Sequence, residues 1–363
     1  MSKTIQNRVA IVLCIIMVSL SGCTKGTPAG STSQPSAAAE TKSEELLGSW
    51  SDGTDSTKDK LIEYVQAVTD EDNKDRFVPI EDRVATFDMD GTIVCEKESS
   101  IEYDAAKYRI QTDLKDNTEL NEKLNQLIAD FQMDPYPDNI WQLNGEVMGE
   151  AFGGMTGDDI EDYIADFAKT QDWDEASGLK YVDTFYQPMV ELLSYLQAND
   201  FDVYIVSGSS QEAVWGCVKA YNETYTETPI TLERSHMIGS DMQVIGSKDE
   251  AANNDTYVFQ PDDLLVRGDH QVTANIKMQK IINIYEHIGK IPVFAGGNTD
   301  GDFSMLNYAE TCAYPDSHMS LFIWHDDERE VVYNVSDEWK TLAEQYGWER
   351  VSMKDQFKTV FMK

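Results

Sequence analysis

Hydrophobic positions along this chain follow two rhythms, short unbroken apolar runs and longer stretches that repeat every three or four residues. The runs are 84–87, 201–206, 291–295 and 320–324, rich in Val, Ile, Phe and Tyr, and each is closed by a polar or glycine-bearing turn. Runs of this length and composition predict buried strands. Helical spacing marks 56–69, where Leu61, Ile62, Tyr64, Val65 and Val68 share a face, and also 186–198, the stretch from Glu212, and 275–282. Strands alternating with helices predict an α/β fold, a three-layer Rossmann-like core around a parallel sheet.

Between 95 and 187 the rhythm is helical throughout. Segments 100–113, 118–132, 139–152 and 156–169 repeat with helical spacing, Thr156 or Asp158 caps the last, and Gly153-Gly154 breaks the one before. An all-helical domain inserted at 95–187 is therefore expected, with the core in two pieces, 46–94 and 188–363.

The turns that close the strands carry the chemistry. After 84–87 come Asp88 and Asp90, one residue apart, and then Gly91. Ligands bind at the carboxyl edge of open α/β sheets, so these acids are placed for work. Ser207-Gly208-Ser209-Ser210 ends the second run before a helix, an anion site if its N–H groups stay free and a simple cap if Ser209 or Ser210 closes the helix. Gly296-Gly297-Asn298-Thr299-Asp300-Gly301-Asp302 ends the third; its oxygens suit a hard cation such as Mg²⁺, and plain turn chemistry selects the same residues. His325-Asp326-Asp327-Glu328-Arg329 ends the fourth.

At 363 residues and 41% hydrophobic content the chain can bury an ordinary core and a smaller second one. A net charge of -36 excludes nucleic acid as a partner, because its phosphates would be repelled, and predicts a solvated acidic surface. The amino terminus reads as a processing signal over 1–22: Lys3 and Arg8 are basic, and the apolar stretch 9–20 is too short for a comfortable membrane span. Leu20-Ser21-Gly22-Cys23 resembles the lipobox of bacterial lipoproteins. That resemblance implies lipid on Cys23, a membrane anchor, and a place on the extracytoplasmic side of the cell envelope, periplasmic or cell-surface. Residues 23–45 then form a flexible Ser, Ala, Thr, Gly and Pro tether. Cys95, Cys217 and Cys312 remain, an odd number with no metal-ligand spacing, which permits at most one disulfide and leaves at least one as an expected buried free thiol.

Taken together, the strand ends resemble the haloacid dehalogenase superfamily of phosphohydrolases, in the branch of phosphoserine and phosphorylcholine phosphatases. Asp88, Asp90, Gly91 and Thr92 match its Asp-x-Asp-Gly-Thr motif, and Ser207 its second motif. Lys277 has the setting of its lysine, with Lys280 one turn on as the rival, and Gly297, Asn298 and Asp302 fall on its acidic loop. Asn298 stands where that family has an aspartate. The resemblance implies a Mg²⁺-dependent phosphomonoester hydrolase with Asp88 as nucleophile, through an aspartyl-phosphate, and Asp90 as general acid and base. Thr92, Ser207, Gly208 and Lys277 would hold phosphate, and Asp88, the Asp90 carbonyl, Asn298 and Asp302 would hold Mg²⁺, with Asp300 as a further candidate.

The insertion carries Tyr103, Tyr108, Trp141, Phe152, Tyr163, Trp173, Tyr181 and Tyr186 among acids such as Glu96, Glu98 and Glu102. These aromatics either pack the insertion's own core or form a box for a cationic substrate such as phosphorylcholine. Phosphoserine is the other small substrate the resemblance implies. A lipid-anchored binding protein that keeps the fold without turnover is the alternative, motivated by Asn298.

Overall fold

Strand β1, Val84–Phe87, is buried along its whole length. It lies between two parallel neighbours, β4 (Asp202–Ser210) and β7 (Phe294–Gly297), with Phe87 opposite both Ile205 and Gly296. Strands β8 (Met319–Trp324) and β9 (Glu349–Ser352) extend the sheet in parallel beyond β7. On the other side β5 (Met237–Gly246) is parallel to β4, and β6 (Leu265–Thr273) pairs antiparallel with β5. The order β6-β5-β4-β1-β7-β8-β9 makes a mostly parallel sheet of seven strands with β1 at its centre. This computed structural model describes residues 47–96, 99–174, 176–249, 251–252 and 255–363. The expected signal peptide, Cys23, the tether and Glu98 lie outside them.

Among the described residues the first α-helix, α1 (Thr57–Thr69), is capped by Ser56, whose hydroxyl accepts from the Asp59 N–H, and it buries Leu61, Tyr64, Val65 and Val68. Between β1 and β4 the chain forms α2 (Ile101–Thr112), α3 (Thr118–Asp130), α4 (Ile140–Phe152) and α5 (Gly157–Thr170). Thr156 closes a capping box with Asp159 at the start of α5, which decides between the two expected caps. The insertion is not wholly helical. A small antiparallel ribbon, β2 (Asp172–Asp174) with β3 (Leu179–Lys180), follows α5, and its strands are too short for an alternating pattern to reveal them. Helix α6 (Gln187–Gln197) returns the chain to β4, and α7 (Gln211–Thr224) follows it.

The β5–β6 hairpin reaches across to the insertion. Arg267 donates its N–H to the Met155 carbonyl at 2.9 Å, and the Gly154 N–H donates to the Arg267 carbonyl at 2.8 Å. Helix α4 approaches this strand so closely that a Cβ on Gly149 would lie 2.4 Å from Asp269 and His270 backbone atoms, so only glycine fits there.

Helix α8 spans Met278–His287, later than the 275–282 pattern predicts. Asn275 is fully buried, and its Nδ2 donates to the carbonyls of Ser207 at 3.0 Å and Ile238 at 3.1 Å. Lys277 then takes φ +53, where no helix can run, so the helix starts after it. Among the described residues the remaining α-helices are α9 (Phe303–Ala309), α10 (Asp337–Tyr346) and α11 (Met353–Gln356). Cys95, Cys217 and Cys312 are free and buried. Among the described residues no helix is long and apolar enough to cross a membrane.

Candidate active site

The end of β1 delivers Asp88, whose N–H donates to the Gly296 carbonyl at 2.9 Å and so fixes it beside β7. The chain turns at Gly91, where φ is +81 and the N–H donates to the Val94 carbonyl at 2.7 Å. A Cβ there would lie 2.0 Å from Asn298 Nδ2 and 2.5 Å from the Tyr333 hydroxyl, so the position needs glycine on both counts.

One ammonium joins the first loop to the last. Lys280 Nζ donates to Asp88 Oδ1 at 2.5 Å and to Asp302 Oδ1 at 2.7 Å, and all three side chains are buried. Asp302 also accepts from the Asn298 and Thr299 N–H groups at Oδ2, 3.0 and 3.1 Å away, and thereby organises the loop between them. Burial and the Asp302 charge push the Asp88 carboxyl up to about 7 against the pull of Lys280. Burial disfavours the Lys280 charge, yet Asp302 and Asp88 outweigh it and hold the ammonium above the ordinary lysine value.

The expected lysine is therefore corrected. Lys277 is exposed and pairs with Asp300 at 3.1 Å on the surface, while Lys280, one turn on, points into the site. The backbone turn at Lys277 and the late start of α8 are the cause. Asp300 leaves the site by the same surface pairing, and Asn298 and Asp302 stay in it, both buried.

Asp90 faces the second loop. Ser209 Oγ donates to its Oδ2 at 2.9 Å, and Ser207 Oγ lies at 3.5 Å. Burial pushes the Asp90 carboxyl up to about 6, the Ser209 hydrogen bond opposes this, and the Glu102 charge adds to it. The residues expected to hold phosphate divide here. Gly208 and Ser209 line the cavity described below. Ser207 and Thr92 are fully buried, with Thr92 Oγ1 placed 3.4 Å from Asp88 Oδ2 and 3.2 Å from Asn298 Oδ1. Thr92 thus braces the carboxylate from behind. Ser210 caps α7 and donates to Glu102 of α2 at 2.6 Å, and buried Arg267 bonds the same hydroxyl at 2.9 Å and Glu212 at 2.9 Å.

Asp88, Asp90, Lys280 and Asp302 lie in a cavity of about 770 Å³ whose far wall is built by the insertion. Tyr103, Trp141, Trp173 and Tyr181 line it together with Glu96 and Asp104. Burial, with the charges of Asp90, Asp88 and Asp302, pushes the Glu96 carboxyl up to about 8. The insertion's other aromatics have a packing role: Phe152 is buried against Tyr163 at 5.9 Å, Tyr108 packs on Phe167 at 5.7 Å, and Tyr186 is buried behind the first loop.

A second layer, to which the sequence pattern assigns no role, supports the Gly91 turn. His325 Nε2 lies 2.8 Å from the Gly91 carbonyl and Nδ1 lies 2.6 Å from Glu330 Oε1. A carbonyl only accepts, so Nε2 carries a proton. Tyr186 donates to the other Glu330 oxygen at 2.6 Å, and Tyr333 stacks on His325 with centroids 4.1 Å apart. Asn334 Nδ2 donates to the Asn298 carbonyl at 2.6 Å, so the segment after β8 ties the first loop to the last.

Among the described residues no group of three or more His, Cys, Asp and Glu side chains is arranged to hold a metal. The donor set is mixed instead. One amide atom of Asn298 faces Asp302 Oδ2 at 3.3 Å, the Asp90 carbonyl at 3.3 Å and Thr92 Oγ1 at 3.2 Å. Oxygens converging beside the Asp88 carboxylate, whose Oδ1 accepts from Lys280 and whose Oδ2 accepts from Thr92 at 3.4 Å, fit, with few charges, a hard cation that keeps several waters, as Mg²⁺ does.

No protein-family model matches the chain, and no curated protein matches it. Among solved structures it is similar to a conserved functionally unknown protein from Anaerococcus prevotii DSM 20548, at 15% identity and a TM-score of 0.51 over 83% of this chain and 94% of that one. A protein with unknown function from Bordetella pertussis Tohama I matches at 11% identity and 0.47, over 75% and 99% of the two chains. A cytosolic 5'-nucleotidase IIIB bound to cytidine matches at 12% identity and 0.42, over 81% and 92%. The latter two are too distant to argue from. The chain shares the α/β fold of the Anaerococcus protein, and its chemistry has to be read from the site itself.

Proposed function

We propose that this protein is a Mg²⁺-dependent phosphomonoester hydrolase of the haloacid dehalogenase type, working through an aspartyl-phosphate on Asp88. The observation that carries this reading is the pairing of buried Asp88 with Lys280 at the floor of a cavity, with Asp90 beside it on Ser209. Mg²⁺, held by Asp88, the Asp90 carbonyl and Asn298 with Asp302 alongside, would supply the positive charge that lets a phosphate dianion approach a carboxylate.

The chain's own residues do the rest. Asp88 attacks phosphorus while the bond from phosphorus to the leaving alkoxide breaks, and protonated Asp90 gives its proton to that oxygen. Ionised Asp90 then takes a proton from the water that attacks phosphorus, the bond to Asp88 breaks, and phosphate leaves. A carboxyl pushed up to about 6 reaches both protonation states near neutral pH, as this double role requires. Lys280 holds Asp88 in place and offsets charge on the phosphoryl oxygens.

For substrate we infer a small phosphomonoester, phosphorylcholine or phosphoserine, with the aromatic and acidic wall of Tyr103, Trp173, Tyr181 and Glu96 favouring a cationic leaving group. The proposed setting is the outer side of a cell-envelope membrane, by lipid on Cys23. Hydrolysis of p-nitrophenyl phosphate with Mg²⁺ tests the enzyme reading. Turnover that requires Mg²⁺ and disappears in Asp88→Asn supports it, and wild-type turnover that persists in Asp88→Asn sinks it.

A further inference from the structure

Strand β4 leaves its ladder with β5 where it reaches the site. Val206 pairs with Ile238 and Ser210 with Ser240, so Ser207, Gly208 and Ser209 stand opposite Gly239 alone. The sheet therefore does not set the direction of the Ser209 hydroxyl, which donates to Asp90 Oδ2 at 2.9 Å. Side chains on both flanks of Ser209 do. Before it, Ser240 Oγ donates to the Gly208 carbonyl at 2.6 Å and Asn275 Nδ2 to that of Ser207 at 3.0 Å. After it, Glu102 accepts from the Ser210 N–H at 2.8 Å and from the Ser210 hydroxyl at 2.6 Å.

The second flank depends on Arg267. Its Nη2 donates to Ser210 Oγ and to Glu212 Oε2, each at 2.9 Å, Nη1 lies 3.4 Å from Glu102 Oε1, and the guanidinium sits over the Phe152 ring at 5.5 Å. Arg267 and Glu102 are both buried. Taking these charges out of water is costly, and apolar side chains of the same volume would join the parts at least as firmly. Apolar contact does not fix direction, whereas a planar guanidinium bonds at set angles. Glu102 comes from α2 of the insertion and Arg267 from the β5–β6 hairpin, so two elements outside the first and last loops meet on one serine.

We propose that Arg267 is a positioning residue for proton transfer. With Glu102 it fixes Ser210, and through Ser210 it holds the neighbouring Ser209 hydroxyl that keeps the Asp90 carboxyl turned toward the leaving oxygen. This rests on the reading of Asp90 as general acid and base. The acid is then aimed only while the insertion and the hairpin are both in place on the second loop.

The test compares ethyl phosphate, whose leaving group needs a proton, with p-nitrophenyl phosphate, whose leaving group does not, and takes Asp90→Asn as the reference. Arg267→Lys keeps the charge and loses the fork. It should lower kcat for ethyl phosphate by about 10²-fold, the effect of a misplaced catalytic group, and change first-turnover release of p-nitrophenol by less than about threefold. Ser209→Ala should show the same contrast, and adding Arg267→Lys to it should cost less than about threefold more, because both act through one hydrogen bond. Should Arg267→Lys not fold, Ser210→Ala, which removes the shared hydroxyl and a helix cap, carries the same expectation. Equal loss on both substrates, an unchanged kcat for ethyl phosphate, or full additivity with Ser209→Ala overturns the inference and leaves the acid and base reading standing. Asp90→Asn that loses both substrates equally, or neither, overturns that reading itself.

Discussion

Lys280 reaches Asp88 across 192 residues of sequence, and the two meet at 2.5 Å with the ammonium and carboxylate both shut away from water. Removing the ammonium leaves Asp88 and Asp302 buried without the cation they share. Lys280→Met is therefore expected to lower stability by about 3–5 kcal/mol and to reduce kcat by more than about 100-fold. Lys277→Met, on the surface, should change stability by less than about 0.5 kcal/mol and leave kcat within about threefold. Urea unfolding and steady-state kinetics on the two variants check this.

Asp90→Asn removes the proton donor without changing shape. Hydrolysis of an alkyl phosphate should fall about 10²–10⁴-fold. With p-nitrophenyl phosphate, whose leaving group departs without a proton, the first step should suffer far less, and a burst of p-nitrophenol before slow turnover is the expected signature in stopped flow.

The substrate wall can be tested at Trp141, which is 58% exposed and contributes little to packing. Trp141→Ala should leave the melting temperature unchanged and lower kcat/KM for phosphorylcholine more than for phosphoserine. Equal loss for both would remove the aromatic wall from the account of specificity.

His325→Ala deprives the Gly91 carbonyl and Glu330 of a partner at once. The expected cost is about 2–4 kcal/mol. Because the cavity wall is untouched, kcat should fall more than KM rises.

Asp183 is a source of acid sensitivity away from the site. Burial pushes Asp183 up, but Tyr225, which donates at 2.6 Å, the Lys180 N–H and Lys363 outweigh it and hold the carboxyl below the ordinary range. A carboxyl lowered by folding adds stability above its unfolded value of about 3.9, and that stability is lost as pH falls through the folded value. Between pH 5 and 3, wild type should lose more of its urea midpoint than Tyr225→Phe does.

The central strand and its two aspartates were legible because a four-residue apolar run followed by Asp-x-Asp-Gly leaves few alternatives. The lysine was not. Lys277 and Lys280 share one predicted helix, and only the burial of Asn275 and the positive φ at Lys277 decide which one turns inward. His325, Glu330 and Tyr333 escaped for a different reason: 234 residues separate His325 from Gly91, and no local pattern encodes that contact. The polar end of the last strand was visible, but its inward direction was not. The β5–β6 hairpin escaped as well, since exposed Val244, Leu265 and Val272 and its register shifts blur the alternation that marks a strand.

That hairpin bears on how ligands come and go. Swinging the insertion away from the sheet would break the paired main-chain bonds between Arg267 and residues 154–155, and would part buried Glu102 from Arg267 and Ser210. The less costly route is a doorway: Tyr136 and Trp141 stand exposed on the cavity wall, edge-on to Phe131 at 6.0 and 6.1 Å. Traffic through the molecule is then governed by rotation of a few rings while the frame around them stays shut, and slow hydrogen exchange at the Gly154 and Arg267 amides during turnover is its expected mark.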